Sequence, residues 1–300
     1  MDDMDFTKPH ATELPSAPAS FKAAASPFYD SAVASKLFRA AGPEERFTAG
    51  QAIFQEDDKA STGGMFSRGA SSRMYFLASG DVALTIHGKA LDTVKAGDVF
   101  GEMAVISSLP RTASATAKAD CVAYSLDVAE LQKALALMPE FALMLMSVMF
   151  DRLRFMIARL AARKVPPAST TREFPVFESA LLAKFEAALP SPSVRRYPPR
   201  GEIMKEGQTG AFMYILKKGR VAIWIRDKVI EVVNPGGTFG EMAVVDQSPR
   251  TANATADTEC ELLAVDRASL LEALKSQPAF AMAMMRAVAE RIRHMNSQLG

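Results

Sequence analysis

The sequence predicts a mainly β architecture with helices (α+β): two tandem jelly-roll barrels, each flanked by an N-terminal helix and by C-terminal lid helices. Three observations carry this expectation. The stretch Phe100-Gly-Glu-Met-Ala-Val-Ile-Ser-Ser-Leu-Pro-Arg-Thr-Ala-Ser-Ala-Thr-Ala117 recurs almost letter for letter as Phe239-Gly-Glu-Met-Ala-Val-Val-Asp-Gln-Ser-Pro-Arg-Thr-Ala-Asn-Ala-Thr-Ala256. Short apolar runs separated by glycine turns precede each copy, the pattern of a small all-β barrel. A helical period follows each copy.

The offset between the copies is constant downstream: Met74 with Met213, Phe100 with Phe239 and Met156 with Met295 all lie 139 positions apart. Such register over a long span marks a duplicated unit. Upstream, pairing Gly50 with Gly201 gives an offset of 151, so about twelve additional residues are expected in the first copy, within residues 59–72. Glycine and serine there suit a surface loop, with Phe66 and Arg68 as the contacts if it meets a partner. The domains predicted are a flexible tail over 1–26, a first domain over 27–164, a linker over 165–172 and a second domain over 173–300.

Within the first domain, Phe28, Val33, Leu37 and Phe38 predict a helix between Pro27 and Glu45. Strands are expected at Phe47–Phe54, Met74–Leu77, Gly80–Ile86, Leu91–Val94, Ala115–Ala117 and Cys121–Leu126, with His87-Gly88 as a hairpin turn. Asp127-Val-Ala-Glu130 has the spacing of a capping box, and Pro139 opens a longer helix from Glu140 to about Arg163. The second domain repeats the order, beginning with a helix marked by Phe177, Leu181, Phe185 and Leu189.

Composition excludes several classes of function. A net charge of +1 without a run of lysine or arginine argues against a nucleic-acid surface. The acidic start, Met1-Asp-Asp-Met-Asp5, is unlike a signal peptide, and the apolar run from Ala134 to Phe150 is too short for a membrane span. The methionine-rich stretches read as helix core. Cys121 and Cys260 occupy matching places in the two copies, so they are expected to be small buried strand residues, with a reducing, cytoplasmic setting as the default. His10, His87 and His294 share no metal-ligand spacing, and no Ser/His/Asp or Cys/His grouping appears. No metal, no cofactor and no catalytic residues are therefore expected.

The repeated stretch itself carries the chemistry. Gly101 and Gly240 let the backbone approach a ligand and open a short helical turn whose free N–H groups attract an anion. In each copy a Pro-Arg-Thr follows, offering the planar donor fork of Arg111 or Arg250 to phosphate oxygens and the hydroxyl of Thr112 or Thr251 beside it. Glu102 and Glu241 would repel a phosphate, so each is expected to accept a hydrogen bond from a neutral hydroxyl of the same ligand. The pocket suits a small molecule with one phosphate next to a free sugar hydroxyl.

Phe-Gly-Glu-Met-Ala followed by Pro-Arg-Thr-Ala resembles the phosphate-binding cassette of the cyclic nucleotide-binding domain family. The resemblance implies a non-enzymatic receptor for cAMP or cGMP, one bound per domain, in which the glutamate holds the ribose 2′-OH and the arginine neutralises the cyclic phosphate. It assigns Gly101, Glu102, Met103, Ala104, Arg111, Thr112 and Ala113 to one site and Gly240, Glu241, Met242, Ala243, Arg250, Thr251 and Ala252 to the other. The family often covers the base with the helix after the barrel. Arg152 and Arg291, equivalently spaced from Arg111 and Arg250, are the lid candidates, with solvated helix arginines as the alternative. The ligand class implies an effector protein of unknown identity; membrane and nucleic acid are not expected as partners, and a homodimer stays open. A kinase regulatory subunit is the nearest rival, yet residues 1–46 hold no Arg-Arg pair of the pseudosubstrate kind. A transcription regulator is the other, and the expectation is that no segment after the second lid helix remains for a helix-turn-helix.

Overall fold

The structure, a computed structural model, describes residues 28–58, 72–162, 176–190, 192–225 and 227–299. The expected tail (1–26), most of the insertion (59–71) with its Phe66 and Arg68, and the linker (165–172) lie outside the described residues.

The first repeat runs α1 (Ser31–Ala41), β1 (Glu44–Phe47), β2 (Ala52–Phe54), β3 (Met74–Ser79), β4 (Asp81–Ile86), β5 (Lys89–Lys95), β6 (Val99–Phe100), α2 (Glu102–Ser107), β7 (Ser114–Ala117), β8 (Cys121–Leu126), α3 (Val128–Leu137) and α4 (Glu140–Ala162). The second runs α5 (Ser179–Ala188), β9 (Ser193–Tyr197), β10 (Glu202–Met204), β11 (Phe212–Lys218), β12 (Val221–Ile225), β13 (Lys228–Val233), β14 (Thr238–Phe239), α6 (Glu241–Asp246), β15 (Asn253–Ala256), β16 (Cys260–Asp266), α7 (Arg267–Ser276) and α8 (Pro278–Leu299). Each barrel is a pair of four-stranded antiparallel sheets, β1-β8-β3-β6 over β2-β7-β4-β5 in the first and β9-β16-β11-β14 over β10-β15-β12-β13 in the second. The jelly-roll expectation is met in both repeats.

Local chemistry sets the element ends. The Asp30 carboxylate accepts from the N–H groups of Ala32 and Val33 and starts α1, while Gly42-Pro43 ends it. The helix is therefore shorter than the predicted Pro27–Glu45, and Glu44 already belongs to β1. A side chain at Gly42 would place its Cβ 1.9 Å from the Ser125 carbonyl oxygen. His87 (φ 49°) and Gly88 (φ 74°) both take the left-handed conformation of a two-residue hairpin turn between β4 and β5. The capping box forms as expected: Asp127 accepts from the Glu130 N–H, and Glu130 accepts from the Asp127 N–H.

The upstream register differs from the prediction by one residue. The Gly50 N–H bonds the Ala117 carbonyl and the Arg200 N–H bonds the Ala256 carbonyl, so Gly50 corresponds to Arg200, an offset of 150. Asp57 matches Gly207 in the same way. The first copy thus carries eleven extra residues rather than about twelve. Matching glycine to glycine misled, because this left-handed turn position holds glycine in one copy (φ 83°) and arginine in the other (φ 65°).

Each barrel has its own small core, around Phe47, Tyr75, Leu77 and Val82 in the first and Tyr214, Leu216, Val221 and Phe239 in the second. A larger cluster joins the helices of both repeats, including Phe38, Phe141, Phe150, Phe185 and Phe280. Its methionines, among them Met146, Met149, Met284 and Met285, are buried, as the core reading required. Within it α4 packs along α8, α4 also packs on α6, and α8 packs on α2. The two repeats therefore clasp each other through their last helices. Cys121 and Cys260 are buried, unbonded strand residues. Among the described residues no helix is long and apolar enough to cross a membrane, and no His/Cys/Asp/Glu cluster could hold a metal.

Asp127 starts the helical layer of the first repeat, and Asp266 does the same for the second by accepting from the Ser269 N–H. Asp127→Ala should cost about 1 kcal/mol of stability, read as a lowered urea midpoint with unchanged slope.

Candidate functional site

Each repeated stretch folds as a strand end, a left-handed glycine and a helix of under two turns. Gly101 (φ 74°) turns the chain from β6 into α2, and Gly240 (φ 73°) does so from β14 into α6. No side chain caps either helix start, so the first N–H groups there stay available to a ligand. Space adds to the demand on φ, lightly at Gly101 and more strongly at Gly240. A Cβ would stand 3.1 Å from Arg111 Nη1 at Gly101 and 2.5 Å from Arg250 Nη1 at Gly240.

Those two arginines lie flat beneath the turns. Arg111 donates to the carbonyl oxygens of Gly101 (2.8 Å) and Arg73 (2.8 Å), and Arg250 donates to those of Gly240 (2.6 Å) and Phe212. Both are only 6% exposed, and among the described residues neither forms an ion pair. Burial lowers the pKa of each. The Arg111 guanidinium also lies 4.0 Å from the centroid of the Phe54 ring. The register places Met204 at the Phe54 position in the second repeat, where the nearest ring to Arg250 is Tyr214 at 5.9 Å.

Glu102 and Glu241, the first residues of α2 and α6, are 1% and 2% exposed. Arg152 from α4 ion-pairs with one oxygen of Glu102, and Arg291 from α8 with one oxygen of Glu241. The other oxygen of each carboxylate, Oε2, is buried and accepts no hydrogen bond from the described residues. Arg152 and Arg291 are thus not solvated helix arginines. Their side chains reach down from the helices onto the glutamates, and Arg291 is held further by Glu231 at 3.2 Å. For Arg291 burial alone would lower the pKa, but Glu231 and Glu241 together raise it. The contrast separates the two arginines of a site: Arg291 is ion-paired with Glu231 and Glu241, whereas among the described residues Arg250 forms no ion pair.

All the predicted positions converge. Gly101, Glu102, Met103, Ala104, Arg111, Thr112, Ala113 and Arg152 line one cavity of about 100 Å³. Gly240, Glu241, Met242, Ala243, Arg250, Thr251, Ala252 and Arg291 line a second of about 60 Å³.

Sequence reasoning missed Asp92 on β5 and Glu231 on β13, which line the two cavities at matching positions. The constant offset between the repeats was the signal that could have found them. Burial raises the pKa of Asp92. It also missed that each cavity takes one wall residue from the other repeat's last helix: Ile292 of α8 lines the first, and Leu153 of α4 the second. No periodicity reports a contact of that kind.

The sequence model described as cyclic nucleotide-binding domain matches residues 44–137 and 194–277, more than half of the chain. The chain belongs to the cyclic nucleotide-binding domain family. Among curated proteins it is 32% identical over 107 residues to the CRP-like cAMP-activated global transcriptional regulator of Mycobacterium tuberculosis, covering 34% of this chain and 48% of that one. It is 28% identical over 185 residues to the cAMP-dependent protein kinase regulatory subunit of Pyricularia oryzae (61% and 42%), and 27% over 205 residues to the cGMP-dependent protein kinase of Eimeria tenella (67% and 18%). The chain spans less than half the length of each of these relatives. Its two cyclic nucleotide-binding domains account for both cavities.

Breaking a buried ion pair strands a charge, at about 3–5 kcal/mol. Arg152→Met should therefore destabilise the protein by about 3 kcal/mol, and adding Glu102→Gln should restore at least half of that loss, both measured by urea unfolding.

Proposed function

We propose that this chain is a non-enzymatic receptor for a cyclic mononucleotide, binding one molecule per repeat and passing the event to a partner protein through movement of α4 and α8. One observation carries the reading: among the described residues, each cavity joins a buried arginine that forms no ion pair to a buried carboxylate oxygen that accepts no hydrogen bond. A ligand that supplies both needs an anionic group and a neutral hydroxyl a few ångströms apart. A cyclic phosphate fused to a ribose with a free 2′-OH meets that description. The phosphate faces Arg111 or Arg250 and the uncapped helix start, with Thr112 or Thr251 beside it. The hydroxyl donates to Oε2 of Glu102 or Glu241.

Both cavities are lined by residues of α4 and α8 as well as by a cassette, so a nucleotide bound there would touch both helices. This links occupancy to helix position, and helix position is the output. Two of the relatives, the Mycobacterium tuberculosis regulator and the Pyricularia oryzae regulatory subunit, carry cAMP in their names. We therefore take cAMP as the first ligand to test. A kinase as the partner is the second reading, supported by the match to the Pyricularia oryzae regulatory subunit over 185 residues.

Calorimetry of the whole chain should show two cAMP-binding events. Arg111→Ala and Arg250→Ala should each weaken one of them by about 10- to 150-fold, the loss of one charge-assisted bond of roughly 1.5–3 kcal/mol. Unchanged stoichiometry and affinity in both variants would reject the reading.

A further inference from the structure

Arg152 and Arg154 stand two places apart on α4, so their side chains leave the helix about 200° apart. Arg152 reaches Glu102 in its own repeat. Arg154 reaches the other repeat: it ion-pairs with Asp246, donates to the Ser248 hydroxyl at 2.7 Å and is steadied by Asp151 at 2.8 Å. Asp246 is buried and is the last residue of α6, the short helix whose first residue is Glu241. Its second oxygen accepts from the Ser248 N–H at 3.1 Å, which fixes the turn leading to Arg250. One rigid helix therefore grips the glutamate of the first site with one arginine and the whole cassette of the second site with the next.

The reverse connection is weaker. On α8, Arg291 holds Glu241 and Arg293, at the same spacing, donates to the Pro110 carbonyl at 3.3 Å. The position matching Asp246 is Ser107, which bonds the Met103 carbonyl of its own helix at 2.7 Å. Arg286 adds a contact to the Ile106 carbonyl at 3.5 Å. The first cassette thus meets neutral carbonyl contacts where the second meets a buried ion pair.

We propose that Arg154 is a positioning residue of the second site, and that the Arg152–Arg154 pair on α4 is the link through which the two sites affect each other. Opening the first cavity displaces α4, and Arg154 carries that displacement to Asp246 and so to both ends of α6. This rests on the nucleotide reading for its ligand, but not for its geometry. Because coupling between two binding equilibria is reciprocal, the single link makes each site sensitive to the other.

The test uses the whole chain, with Arg154→Met and with Arg293→Met as the control from the opposite helix. Without nucleotide, amide hydrogen exchange over 241–246 should speed up at least tenfold in Arg154→Met while 102–107 stays within twofold; Arg293→Met should move neither by more than twofold. In cAMP titrations, with Arg111→Ala and Arg250→Ala proteins giving the single-site affinities, filling one wild-type site should change the affinity of the other at least fivefold. In Arg154→Met that ratio should fall below twofold. Equal exchange over 241–246 in wild type and Arg154→Met, or coupling that survives the substitution, overturns the proposal. A protein that binds no cAMP, yet loosens over 241–246 in Arg154→Met, would overturn the nucleotide reading and sustain the positioning role.

Discussion

In each repeat a guanidinium is buried without an ion pair among the described residues, and the surroundings of Arg111 and Arg250 are arranged to make that tolerable. Burying an unpaired charge is expensive unless its donors are satisfied. Two carbonyl oxygens take those donors in each case, from the strand end before the cassette helix and from the start of β3 or β11. The turn favours glycine by its left-handed φ, and a side chain there would crowd the guanidinium, most closely at Gly240. What the carbonyls supply is hydrogen bonding without charge. The field of the arginine is left pointing into the cavity.

The duplication preserves this device and relaxes what lies around it. An aromatic face covers Arg111, whereas Met204 occupies the corresponding place near Arg250. Asp92 becomes Glu231, one methylene longer, and the longer side chain reaches Arg291 at 3.2 Å. The second cassette is consequently the more tightly tied: three carboxylates, Glu231, Glu241 and Asp246, fasten it to arginines of α8 and α4. Its cavity is also the smaller. The repeats share one plan without being equivalent sites.

Much of this was legible in the sequence because it is local. Strand period, hairpin turn, capping box and cassette each depend on residues a few positions apart, and a duplicated chain states them twice. Errors arose where a local rule had two solutions. A left-handed turn position can hold glycine or arginine, so Gly50 was matched to Gly201 instead of Arg200. A helical period cannot show its own end: the predicted span reaches Glu45, whereas α1 stops at Gly42 and Glu44 and Glu45 already lie in β1. The crossing of α4 and α8 was not legible at all. It depends on how two barrels dock, and residues 163–175 between them carry no pattern that fixes the docking.

The same long-range packing explains how a carboxylate can share a cavity with a buried arginine and not pair with it. Left alone, Glu102 or Glu241 would answer the charge of Arg111 or Arg250 and cancel the attraction for an anion. Instead a second arginine, delivered by the helix that closes the barrel, takes the charge of the glutamate at one oxygen and leaves the other as an acceptor. The two arginines of a site thus divide the work: one neutralises the protein's own carboxylate so that the other keeps its field for the ligand. That division holds only while α4 and α8 are seated, because neither barrel supplies Arg152 or Arg291 from its own strands. The polarity of each cavity is therefore set by the position of the helix that closes it.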